Sequence, residues 1–201
     1  MKGSYLPQSP PDKESAMSSL ARFSLPQYER MVETGVFAGQ FHQRVELIRG
    51  EIRQMNPIGH PHTTVVDFLN AWSFRASPLE KLVRIQETIR LPDSGSAPEP
   101  DVVWAVEKDY TNHPQGSDVL LLVEVADTTL RVDCGEKARL YAESGVPEYW
   151  VADVEGRKLI VHRDPSSEGY RDTQELAGDE EISPLCDPKA RLRVGDLFAK
   201  L

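Results

Sequence analysis

SAPEPDVVWAV, residues 96–106, and DVLLLVEVADTTLRVDCGEKARLYAESGVPEYWVAD, residues 118–153, carry most of what this chain discloses about itself. The first run turns apolar directly after Asp101, and the second holds Glu124 between Val119 and Ala126. A charged side chain is costly to bury there unless it is paired or bound to a metal. Near-continuous apolar runs predict strands covered on both faces, and Gly135 to Ser144 predicts a short helix closed by Gly145. The order strand, strand, helix, strand describes a layered α/β unit in which carboxylates on adjacent strands can converge. Two oxygen-bearing side chains with open positions suit Mg²⁺ or Mn²⁺.

The rest of the chain sets bounds on that unit. At 201 residues, residues 21–201 read as a single domain and residues 1–20, rich in Pro, Ser and charge, as a disordered tail. Hydrophobic residues at 39% and charged ones at 27% are near globular averages. No apolar run approaches the ~20 residues of a membrane helix. The N-terminus also lacks the apolar core of a signal peptide, so a cytoplasmic protein without membrane partners is expected. Cys134 and Cys186 are too few for a disulfide framework and read as free thiols. With 23 basic against 32 acidic residues, the formal charge is −9, which argues against broad electrostatic capture of DNA.

Local signals outline the scaffold. Ser24 with Gln27 three residues on predicts a helix start, and Gly35 its end. Arg44 to Ile48 and Glu51 to Met55 predict a hairpin turning at Arg49-Gly50. Val65, Val66, Phe68, Leu69 and Trp72 recur at helical spacing, with His60 and His62 at the entry. Lys81 to Leu91 alternates as a strand, with Glu87 interrupting its apolar face. Tyr149 to Ala152 and Lys158 to Arg163 predict a second hairpin, and Val194 to Phe198 a last short helix.

Pro100-Asp101, Glu124-Val125-Ala126, Gly135-Glu136-Lys137, Leu140-Tyr141-Ala142 and Gly145 to Trp150 resemble the Uma2 family (DUF820) of restriction-endonuclease-like proteins, a branch of the PD-(D/E)XK nuclease superfamily. The resemblance runs from about Tyr28 to Tyr170. It implies a restriction endonuclease-like core, a mixed central β-sheet flanked by helices, and a Mg²⁺-dependent endonuclease that cuts DNA, with a homodimer supplying two cuts by analogy. The superfamily's lysine, two residues after the glutamate, is Ala126 here, and the resemblance assigns its place to Lys137 on the next helix.

The expected catalytic set is therefore Asp101, Glu124 and Lys137. The expected metal ligands are Asp101, Glu124, the Val125 carbonyl and Glu46. The Val125 carbonyl enters because strand alternation turns its side chain away from Glu124 while its backbone stays near the edge. Glu46 lies in a Glu-Leu-Ile-x-Gly-Glu segment whose acid approaches the metal in the family; as a strand residue alone it reads equally as solvent-facing. His62 matches the family's histidine at a helix entry, against a capping or packing role. Gln86 matches a family glutamine, against a bond within the sheet. Tyr141, four residues past Lys137, shares its helix face and reads as support for Lys137 or as core. Asp133 reads as a charge at the helix start. A noncatalytic or regulatory metal-binding module that binds a protein partner is the alternative, motivated by Ala126 and the acidic charge.

Overall fold

This computed structural model describes residues 20–38, 44–76 and 81–201. The tail expected over residues 1–20 falls outside them except for Leu20. Helix α1 (Leu25–Glu33) starts as the sequence predicts: the Ser24 N–H donates to Gln27 Oε1 at 2.8 Å, and Gly35 follows at φ 74°. Strands β1 (Val45–Ile48) and β2 (Glu51–Gln54) form an antiparallel hairpin. Its turn needs positive φ at both central residues, and Arg49 (51°) and Gly50 (80°) supply it. Helix α2 (His60–Ala76) follows.

Six strands then build the central sheet in the order β3-β4-β5-β6-β7-β8. They are β3 (Lys81–Ile85), β4 (Val102–Val106), β5 (Val119–Ala126), β6 (Glu148–Asp153), β7 (Lys158–Ser166) and β8 (Gly169–Ala177). Only β5 and β6 pair in parallel; the other neighbours are antiparallel, so the sheet is mixed as expected. A parallel pair requires a crossover. Here it comprises α3 (Leu130–Val132), a π-helical segment (Asp133–Lys137) and α4 (Ala138–Glu143). The helix therefore begins before Gly135, where the sequence placed it. Short strands β9 (Glu181–Ile182) and β10 (Leu192–Arg193) and helix α5 (Val194–Leu197) close the chain.

Side-chain alternation in the strands creates two apolar layers. On one face Trp104, Leu121, Val123, Val125 and Trp150 pack against Val65, Leu69 and Trp72 of α2. On the other, Val103, Leu122, Ala126 and Tyr149 pack against Leu140 and Tyr141 of α4. Trp72 stacks on Trp104 at 5.0 Å between ring centroids and leans on Trp150 at 5.9 Å. Such ring pairs add about 0.5–1.5 kcal/mol each beyond area burial. All three indole N–H groups are satisfied, by the Arg191 carbonyl, Ser73 and Glu148.

The strand expected over Lys81 to Leu91 stops at Ile85. Gln86 adopts φ 52°, which no strand residue can hold, and its N–H turns to the Asp101 carbonyl at 3.0 Å. Ile89 and Leu91 are still buried, so the alternation continues through a segment that is not a strand. Glu87 is exposed rather than facing the core.

Candidate active site

The hairpin, the loop before α2, the end of β5 and the π-helical segment enclose a cavity of about 360 Å³. Asp101 enters it one residue ahead of β4. Its Oδ2 accepts the Val125 N–H at 2.8 Å and faces His62 Nε2 at 3.1 Å, while Oδ1 accepts Gln86 Nε2 at 3.1 Å. An ionised carboxylate only accepts, so Nε2 of His62 carries the proton in this arrangement. His62 Nδ1 is buried without a partner. Gln86 holds Asp101 twice, by side chain and by backbone, from a conformation that costs a non-glycine residue about 1–3 kcal/mol.

Glu124 lies between Leu122 and Ala126 and so faces α4. Its Oε1 accepts Lys137 Nζ at 3.1 Å and the Tyr141 hydroxyl at 2.7 Å. Lys137 Nζ also stands 3.3 Å from Glu46 Oε2. That contact is an ion pair without hydrogen-bond geometry, since Glu46 Oε2 is buried and has no hydrogen-bond partner. Asp133 is buried four residues before Lys137, and Thr129 donates its hydroxyl to Asp133 Oδ2. The Tyr149 hydroxyl donates to the Asp133 carbonyl at 3.1 Å.

Acid outnumbers base in this pocket. Burial pushes the Glu124 carboxyl up to about 8; Lys137 pulls the other way, and Asp133, Asp101 and Glu46 push it further. Burial alone would lower the Lys137 ammonium, but Glu124, Glu46 and Asp133 together raise it above its ordinary value. One ammonium cannot neutralise so many buried carboxylates. Glu148 makes the contrast: equally buried, it accepts Trp150 Nε1, Arg163 Nε and Nη2 and the Leu185 N–H, and is a satisfied structural acid. Glu46 is not satisfied in this way.

The sequence-predicted residues thus meet. Asp101, Glu124, Val125, Glu46, His62 and Lys137 line one cavity, Gln86 braces Asp101, and Tyr141 is a buried core residue whose hydroxyl braces Glu124. Glu46 is buried, which removes its solvent-facing alternative. Asp133 does open a helical turn, as expected, since it is the first residue of the π-helical segment, but it is buried there, and burial raises its carboxyl despite Lys137 and the Thr129 bond. Its spacing of four to Lys137, repeated to Tyr141, was the available signal. Arg44 and Arg53, which also line the cavity, were not anticipated.

The oxygen donors fit a hard divalent ion in charge and in type. The unpartnered Glu46 oxygen and the excess of buried acid are the structural marks of that fit. Among the described residues, no three His, Cys, Asp or Glu side chains form a ready-made metal cluster. Asp101 and Glu124 with the Val125 carbonyl, joined by Glu46, are the group that would hold an ion. The Val125 N–H already points to the Asp101 edge, and a strand residue's carbonyl shares the side of its N–H.

Known proteins resemble the chain in family and in fold. Residues 25–195 match the Uma2 family, described as "Putative restriction endonuclease". The crystal structure of "a putative nuclease belonging to DUF820" from Anabaena variabilis ATCC 29413 aligns with a TM-score of 0.67, covering 88% of this chain and 98% of that one at 12% identity. At that identity the likeness speaks for the fold. No curated protein matches the chain. The family match extends from α1 to α5 and takes in every residue that lines the cavity, and on that ground the chain belongs to the Uma2 family.

Proposed function

We propose that the protein is a metal-dependent endonuclease that hydrolyses phosphodiester bonds of DNA in the cytoplasm. The observation that carries this reading is the meeting of Asp101, Glu124 and Lys137, distant in sequence, inside one acid-rich cavity. Family membership and the fold of the DUF820 structure support it.

Asp101, Glu124, the Val125 carbonyl and Glu46 would hold Mg²⁺ or Mn²⁺. When bound, the ion supplies Lewis-acid stabilisation of charge at the phosphoryl group. His62, Gln86 and the Val125 N–H fix the Asp101 carboxylate, so its direction is set before substrate arrives. Lys137 stays protonated because acids surround it, so its part is that of a fixed cation, orienting water and steadying phosphoryl oxygens rather than removing a proton. Its nitrogen reaches Glu124 from the crossover helix, which compensates for Ala126, buried in the apolar layer two residues past the glutamate.

The second reading is a noncatalytic module that keeps the pocket and binds a protein partner. The net charge of −9 favours it, as does the pairing of both cavity arginines with acids. Plasmid nicking with Mn²⁺ decides between them: wild type cuts and Asp101→Ala does not under the nuclease reading, and equal behaviour of the two assigns any cutting to contamination. A homodimer is part of the proposal, and sedimentation with and without DNA checks it.

A further inference from the structure

Two oppositely oriented charge pairs join the hairpin to the π-helical segment side by side. Glu46 and Arg53 are directly paired across β1 and β2, so their side chains leave the same face of the hairpin. They do not bond each other. Glu46 reaches Lys137 at 3.3 Å, while Arg53 reaches the preceding residue, Glu136. The second contact is a two-bond fork: Nη1 to Oε2 at 2.6 Å and Nη2 to Oε1 at 2.9 Å. Glu51 holds the same Nη2 at 3.1 Å, which fixes the guanidinium plane.

This geometry matters because the hairpin is not part of the central sheet. It is anchored instead by the Leu47–Ala97 bridge, the Gly50 N–H to the Gly95 carbonyl, a small apolar cluster around Leu25 and Tyr28, and, at its turn, by Arg49 paired with Glu143 of α4 and by Ile48 buried in the cluster of Leu140 and Tyr141. Those at the turn hold Ile48 and Arg49 to α4, beyond Lys137; none of them reaches β2 at the level of the π-helical segment itself. A fork of fixed geometry between adjacent members of the two elements does.

We propose that Arg53 and Glu136 are positioning residues, a tie that sets the distance between hairpin and π-helical segment and so holds Glu46 against Lys137. The proposal rests on the nuclease reading for its kinetic consequence but not for its structural one. Arg53 lines the cavity, so direct contact with a substrate phosphate is the competing role.

The test uses Arg53→Met, Glu136→Gln and the double variant of the full chain. Each single variant is expected to lower kcat by about tenfold or more, as small misplacements of catalytic groups do, with KM little changed. The double variant is expected to be no worse than either single, because both remove the same tie. A phosphate-binding Arg53 gives the opposite pattern: Arg53→Met raises KM, Glu136→Gln frees the arginine and keeps kcat, and the effects do not coincide. That result overturns the proposal.

Cys134, half-buried within the same segment, gives a readout independent of cleavage. Burial pushes its thiol up to about 11, so alkylation in the native state is slow. Loss of the tie is expected to speed iodoacetamide labelling of Cys134 several-fold in both single variants, with Cys186 unchanged as internal control. Wild-type rates at Cys134 in both variants overturn the tie. If wild type cuts no plasmid, the nuclease reading fails, and the labelling rates still decide this one.

Discussion

Lys137 Nζ stands 3.1 Å from Glu124 Oε1, bridging 13 residues of sequence from the crossover helix to the middle strand of the sheet. The same nitrogen stands 3.3 Å from Glu46 Oε2, a buried oxygen with no hydrogen-bond partner. Lys137→Met removes the pocket's cation while keeping an apolar stem. Cleavage is expected to disappear while Mn²⁺ binding, followed by calorimetry, persists. Retained cleavage would refute its catalytic role.

Asp101 owes its orientation to neighbours. His62→Ala and Gln86→Ala each remove one of the three donors that hold the carboxylate and loosen its orientation. Groups of this kind typically cost 10–100-fold when lost, so each variant is expected to weaken Mn²⁺ binding or activity by about that factor. Titration of the metal into the two variants measures it, and wild-type affinity in both would refute the bracing role.

Tyr141→Phe isolates the other brace. It deletes the hydroxyl that donates to Glu124 at 2.7 Å and leaves ring packing against Tyr149 intact. Loss of a buried hydrogen bond is expected to destabilise the fold by about 1–3 kcal/mol in urea denaturation. A change below about 0.3 kcal/mol would mean that solvent replaces the hydroxyl, contrary to its burial.

The pocket's acid excess sets a pH dependence. In the metal-free protein the folded state keeps the Glu124 proton up to about pH 8, whereas the unfolded chain releases it near the ordinary 4.5. Between those values the folded state binds more protons, so stability falls as pH rises through the window. Asp133, raised in the same direction, acts with the same sign. Lys137, raised instead, contributes stability that is lost only at more alkaline pH. The Tm of chelator-treated protein is therefore expected to fall between about pH 5 and about pH 8, and Glu124→Gln to flatten the curve. His162, lowered by burial, acts with the opposite sign in both proteins, so a Glu124→Gln curve that runs parallel to wild type would contradict the burial assigned to Glu124.

Much of this was legible because it is local. The α1 cap, the Arg49-Gly50 turn, the two strands behind Asp101 and Glu124, and the α2 period each follow from neighbouring residues. What escaped depends on distant partners. The break at Gln86 is invisible to alternation because Ile89 and Leu91 remain buried after it, and the cause is Asp101, 15 residues away. Strand β8 was missed because it is a polar edge strand in which only Leu176 is fully buried. The pairing of Arg53 with Glu136 bridges 83 residues, so no spacing rule reveals it.

The π-helical segment also gives the crossover one residue of slack inside an otherwise α-helical run. A π turn holds more residues than an α turn, and each α-helical residue advances about 100° around the axis. A methyl group added at Gly135 meets nothing within 4 Å, so Gly135→Ala fits without displacement. Deleting Gly135 instead lets the helix relax into regular α form. The i→i+5 turn then closes as an i→i+4 turn with one residue fewer, so Asp133 and Lys137 keep their relative phase to within a few tens of degrees and every side chain of the site is preserved. At this point the crossover absorbs a change of residue and a change of count alike, without turning the helix on either side.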